Sequence, residues 1–208
     1  MTDPRGPSGV ASFPPDSLLS LRLPIEVVPA RTPLHRVHRT AFPPIFFGPG
    51  LGAPPTYRFD SASGAFGVLY VALDFAGALV ETLARNPRRR MVAEADITSR
   101  AASVLRCRRD LRVVQLHGAG LQRLGLDNAI STGPYTPCGA WSDALFAHPE
   151  APDGLAFRSR HDPDRLCLAI FERSDIAVEV EPRGLLINRL AEVASMLGAY
   201  GKSVAIAP

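Results

Sequence analysis

Residues 57–81 read YRFDSASGAFGVLYVALDFAGALVE, and how this stretch divides into loop, strand and helix decides the fold. The run Gly67-Val68-Leu69-Tyr70-Val71-Ala72 is short, apolar on both faces and rich in β-formers, which predicts a buried strand. Asp74 is placed as an N-cap, and Phe75, Leu79 and Leu83 recur at helical spacing. A helix is therefore expected from about residue 75, ending before Pro87. Three polar groups punctuate the run: Arg58 in the leading loop, Tyr70 late in the strand, and Glu81 on the helix beside its apolar stripe. At that position Glu81 is either solvated or turned into a cleft. A loop held by a rigid scaffold is a common place for side chains that grip ligands.

Working outward, residues 34–39 (LHRVHR) read as a first strand, and the proline- and glycine-rich residues 43–55 as a long irregular loop. Further strands are expected over 92–97, 112–116, 155–160, 166–171 and 176–180, with an amphipathic helix over 185–197. Strands outnumber helices and do not alternate with them. The pattern predicts an α+β fold, a mixed and largely antiparallel sheet with flanking helices, rather than a doubly wound one. Residues 1–30 are rich in Pro, Ser and Gly and read as an N-terminal arm, extended or mobile, ahead of a single domain over 31–208.

The chain has 208 residues, 46% of them hydrophobic, enough for one full core. No apolar run is long enough to span a bilayer, and Asp3, Arg5 and repeated prolines leave no secretory pattern at the N-terminus, so no membrane contact and a cytoplasmic location are expected. Cys107, Cys138 and Cys167 are far apart and form no CxxC, which argues against a disulfide framework or a zinc site. The five histidines offer no metal set, since His35 and His38 alternate on one strand. Net charge is +3, yet Lys202 is the only lysine against 22 arginines, so the cation is almost always the planar, bidentate kind that suits phosphate and carboxylate. The basic runs 88–90 and 106–112 carry no interleaved aromatics and read as solvated faces, with no direct nucleic-acid contact expected. Gly201-Lys202-Ser203 lacks the rest of a phosphate-binding loop, and Gly48, Gly50 and Gly52 sit among prolines where a dinucleotide fingerprint needs a strand-to-helix turn.

What remains is an ordered set: Arg36 in LHRVHR, Arg58 in YRFD, Tyr70 in GVLYVA, Glu81 in ALVE, then AWSDAL and DGLAFRSR with Ser159. This set, over roughly residues 33–173, resembles the RES-domain family. The resemblance implies a fold like that of the ADP-ribosyltransferases and consumption of NAD by hydrolysis or by phosphorolysis. It also implies the part of the toxin in a type II toxin–antitoxin pair, with an antitoxin partner encoded alongside.

NAD would be substrate rather than cofactor, inorganic phosphate a second substrate, and no metal would be needed. Losing nicotinamide leaves an oxocarbenium-like ribosyl cation, the kind of centre that carboxylates stabilise in glycoside hydrolysis. On this reading Glu81 opposes that charge and accepts a bond from a ribose hydroxyl. Arg58 and Arg36 grip the pyrophosphate through charge-assisted bonds, and Tyr70 packs on the nicotinamide ring with its hydroxyl held by a neighbour. Ser159 bonds a phosphate or ribose oxygen, and Trp141 packs in the core behind. Taken without the resemblance, Glu81 reads equally as an exposed helix glutamate, Tyr70 as a core tyrosine and Arg36 as a surface cation, with Arg39 close by on the opposite face.

The sequence departs from the family's pattern around Arg58, where a glycine-rich segment is replaced by PPTYRFD, with Phe59 and Asp60 for Trp and Asn. Val37 likewise stands where an aromatic often follows the first arginine. Two other classes stay open at this stage: an ADP-ribosyltransferase acting on protein, and a non-enzymatic member that binds nucleotide or antitoxin.

Overall fold

Short apolar runs form the strands, and the computed structural model describes them over residues 11–182 and 184–205. In chain order they are β1 (Ile25–Val28), β2 (Leu34–Arg39), β3 (Val68–Ala72), β4 (Met91–Ala93), β5 (Arg100–Cys107), β6 (Leu111–Leu116), β7 (Gly154–Arg158), β8 (Leu166–Phe171), β9 (Val178–Val180), β10 (Gly184–Leu185) and β11 (Ser203–Ala205). The helices are α1 (Phe75–Leu83), α2 (Glu94–Thr98), α3 (Ala119–Arg123), α4 (Ala129–Thr132), α5 (Tyr135–Phe146) and α6 (Leu190–Ala199). One sheet runs in the order β1-β6-β7-β8-β3-β2-β5-β10, with β9 also on β5. Every pairing in it is antiparallel except β6–β7. The fold is the expected α+β type with a largely antiparallel sheet.

Strand β3 is apolar on both faces because both are covered. Val68 joins a cluster with Phe59, Leu79, Trp141 and Phe171, under the helices. Leu69 and Val71 join Leu34, Leu105, Leu168 and Ile170 on the other face, which is capped by Ile45 and Phe47 of the irregular loop. Helix α1 starts where Asp74 accepts a hydrogen bond from the Gly77 amide (2.6 Å), satisfying one of the orphan donors of the first turn.

The feature that opens a site is a mismatch between neighbours. Strand β2 is in register with β5 along all six of its residues, from Leu34↔Leu105 to Arg39↔Arg100. Against β3 it registers at His35↔Ala72 alone. Past that pair the two strands part, and the irregular loop returns to bridge Gly48 to Val68 instead.

Several expectations are corrected. Residues 92–97 are not one strand: β4 stops at Ala93 and Glu94 starts α2, whose first turn carries Glu94 and Asp96, favourable at a helix N-terminus. The helix expected over 185–197 is β10, a 3-10 turn over Leu186–Arg189, and then α6. Strand β5, with arginines at 100 and 106, was hidden by its charge, and α5 by Pro137 and Gly139 in its first turns. The described part of the proline-rich start packs against the rest of the chain. Ala11, Leu18 and Leu23 enter the core and β1 pairs with β6, because a few well-spaced apolar residues suffice to anchor a segment. Residues 1–10 of that expected arm lie outside the described residues.

The arginine-rich run at 106–112 is largely neutralised in place. Arg106 pairs with Glu181 (2.7 Å), Arg108 with Glu179 (2.8 Å), and Arg109 with both Asp153 and Asp175. Lys202 donates to the carbonyls of Asn86 and Arg89, closing the turn after α1. Asp153 organises three strands. Its carboxylate takes two bonds from Arg109 (2.7 and 2.8 Å) and one from the Arg112 amide (2.8 Å), while its carbonyl receives the Phe171 amide. Gly154 then lets β7 close on β8, since a Cβ there would strike the Ala169 carbonyl.

Burial pushes the Asp153 carboxyl up, but the Arg109 bonds outweigh it and hold the group below its ordinary value. Arg109→Ala is expected to cost about 2 kcal/mol at pH 7 by chemical denaturation, below the fully buried range because the arginine is partly exposed. A carboxylate with a depressed folded pKa adds stability above its unfolded value, about 3.9, and loses it as pH falls through the folded value. The gap between wild type and variant should therefore narrow below about pH 4; a constant gap would show that the pair is not its source.

Candidate active site

The parting of β2 from β3 leaves a cleft of about 610 Å³. Arg36 and Arg39 reach it from β2, Tyr70 from β3, Glu81 from α1, Arg85 from just past the end of α1, and Arg58 from the loop before β3. Tyr135 of α5 and Arg160 and His161 after β7 complete the wall. Four of the five expected residues thus share one cleft, and the fifth, Ser159, lies directly behind it.

Arg58 is carried in by the loop and buried. Its Nη1 donates to the carbonyls of Gly133 (2.8 Å) and Ile130 (3.3 Å), and its guanidinium lies over the Tyr135 ring, 4.6 Å from the centroid. Nη2 is buried with no partner. A buried guanidinium donor without an acceptor is costly.

The loop is held in place by Asp60, whose side chain is fully enclosed. Its carboxylate accepts from the amides of Thr56 (2.8 Å) and Tyr57 (2.6 Å) and from the Tyr70 hydroxyl (2.9 Å). Burial raises the Asp60 carboxyl, opposed by these three bonds. The Tyr70 hydroxyl also accepts the Phe59 amide (3.0 Å). Burial first, and then the Asp60 charge, push the Tyr70 phenol well above its ordinary value, so it stays protonated. Tyr70 therefore offers the cleft its ring, packed edge-on to Tyr57 at 5.5 Å, and not its hydroxyl.

Glu81 faces the cleft, one side of the alternative that the sequence left open. Ser159 Oγ donates to its Oε1 at 2.5 Å. Ser159 Oγ in turn accepts the amides of His161 (3.1 Å) and Asp162 (3.2 Å), so Ser159 is buried and fully engaged. Ser159 Oγ thus sits against the Glu81 carboxylate, at the position where a ligand contact was expected of it. His161 lines the cleft nearby; burial lowers its imidazole while the Glu81 charge pulls it up.

Arg36 donates to the Phe46 carbonyl (3.2 Å), and burial brings its guanidinium down to about 10, opposed by Tyr57. Arg39 was expected to face away. It lines the same cleft, because the parting of the strands opens both faces of β2. Arg85, two residues past the end of α1, and Arg100 of β5 also line the cleft and were not singled out. No sequence signal pointed to Tyr135. Asp60 was visible only as a departure from a motif. Trp141 is fully buried as expected, donating to the Ser12 carbonyl (2.7 Å). Among the described residues, six arginines and a single carboxylate line the cleft.

Comparison with known proteins gives one family and one architecture. No curated protein matches the sequence. Among solved structures, a chain in the crystal structure of the M. tuberculosis MbcT-MbcA toxin-antitoxin complex aligns with a TM-score of 0.59 at 15% identity, over 83% of this chain and 92% of that one. At that identity the likeness is one of fold. The sequence itself matches the RES domain over residues 33–187, a span that contains every cleft residue named above, and the chain accordingly belongs to the RES-domain family.

Proposed function

We propose that the chain is an NAD-consuming enzyme that breaks the nicotinamide–ribose bond, and that it acts as the toxin of a toxin–antitoxin pair. The observation that carries this reading is Glu81, held by Ser159 and, among the described residues, the one carboxylate in a cleft also lined by six arginines. When the glycosidic C–N bond breaks, its electron pair neutralises the pyridinium nitrogen. Nicotinamide thus leaves uncharged and needs no acid. The positive charge moves to the anomeric carbon and ring oxygen of the ribose, and a fixed carboxylate in a partly dry cleft stabilises it there. Glu81 supplies that charge and accepts a ribose hydroxyl. Arg58, through its unpartnered Nη2, and Arg36 hold the pyrophosphate. The Tyr70 ring packs on the nicotinamide. Water or inorganic phosphate then adds to the cation and loses a proton, giving ADP-ribose or its 1″-phosphate.

Family membership and the architecture shared with a chain from a toxin–antitoxin complex support the toxin role and an antitoxin protein as partner. The cytosol, where NAD is held, is the expected compartment. No helix among the described residues is long and apolar enough to cross a membrane.

Purified protein is expected to release nicotinamide from NAD, with phosphate present or absent, as read by mass spectrometry. Intact NAD under both conditions would sink the proposal. Label from adenylate-tagged NAD on protein rather than on small products would favour the transferase reading instead. Glu81→Gln should lower kcat by roughly 10²–10³ while leaving NAD affinity within a few fold. Ser159→Ala should lower kcat about tenfold at unchanged affinity, since it only loosens the aim of the carboxylate; a loss of affinity as large as the loss of kcat would make Ser159 a ligand contact.

A further inference from the structure

The end of the cleft farthest along β2 carries charge that the reading above does not use. Arg39 and Arg100 stand directly opposite each other across the β2–β5 ladder, and both line the cleft. Like charges at directly opposed positions destabilise a sheet. One carboxylate, Asp96, serves this corner, and it is shared: Arg100 bonds its Oδ1 (3.3 Å) and Arg89 its Oδ2 (3.0 Å). Among the described residues no carboxylate pairs with Arg39. Arg100 is mostly buried and pinned by the Asp96 carbonyl as well, so its guanidinium is a fixed donor.

Two aromatic rings stand beside this pair. The Phe42 amide donates to the Arg39 carbonyl (3.0 Å), which turns the chain so that Phe42 follows Arg39 into the cleft. Phe42 packs at 5.3 Å on Phe46, and both rings are left substantially exposed, at 46% and 39%. Exposed rings facing a cavity are a stacking surface for a planar base.

We propose that this corner is an adenosine subsite with a built-in place for a second phosphate, so that the preferred dinucleotide carries a 2′-phosphate. The inference rests on the dinucleotide reading above and narrows its substrate class to NADP. A phosphomonoester adds roughly −1.5 to −2 charge at neutral pH, which a shared pair of guanidinium groups can bind through charge-assisted bonds. An arginine beside the adenosine ribose is also a general device for admitting a 2′-phosphate. Arg39 and Arg100 take that group, and Phe42 takes the adenine.

Binding tests this without requiring turnover. Calorimetry on the wild-type protein should show adenosine 2′,5′-bisphosphate binding at least tenfold more tightly than 5′-AMP, and in Arg39→Gln this ratio should fall to within about threefold of one. Arg39 is exposed, so the variant keeps its fold; Arg39→Lys should restore part of the ratio. Equal affinities in the wild type overturn the subsite, as does a ratio that Arg39→Gln leaves unchanged. Binding of inorganic phosphate alone through Arg39, without any gain for the bisphosphate, also overturns it and assigns the corner to the free ion. A preserved ratio with no cleavage of either dinucleotide would keep the subsite and remove the proposed reaction; cleavage of NAD with no ratio would do the reverse.

Discussion

The parting of β2 from β3 is the constraint on which the rest depends. A sheet with β2 zipped to both neighbours would have no interior cavity. Here β2 keeps its full ladder to β5 and gives up all but one pair with β3. Backbone groups left over at such a parting must find other partners. The irregular loop supplies some of them by bridging Gly48 to Val68, and in doing so it becomes a wall of the cleft. Its prolines suit it to that work, since it must be ordered without becoming another strand.

Two buried aspartates do comparable jobs on neighbouring parts of the sheet. Asp153 gathers Arg109 and the Arg112 amide and so ties β6, β7 and β8 together. Asp60 gathers two amides and the Tyr70 hydroxyl, and so ties the Arg58 loop to β3. The difference lies in the compensation. Asp153 has a cation and its carboxyl is held low; Asp60 has only neutral donors, and burial raises it. The charge of Arg58 therefore stays available to the cleft instead of being spent on its own scaffold.

Much of this was legible from residues alone. Strand β3, the Asp74 cap and α1 followed from periodicity and capping, because an apolar run and an oxygen at the N-cap are local signals. The cleft's arginine, tyrosine and glutamate followed from an ordered set of residues in sequence. The contacts that make them a site did not. Asp60 under Tyr70, Tyr135 under Arg58 and Ser159 behind Glu81 are tertiary pairings, in which neither partner carries a mark of the other. Strand β5 was missed for a related reason: its arginines look like a solvated face until β2 and β9 are laid against them.

The bond between Ser159 and Glu81 joins positions 78 residues apart in the chain. During synthesis the carboxylate leaves the ribosome long before the hydroxyl that aims it. At roughly 5–20 residues per second that interval is about 4–16 s, during which β3 also lacks its neighbour β8. A nascent or truncated chain ending before residue 159 therefore carries Glu81 without the bond that orients it, and the pair can form only when most of the length has been made.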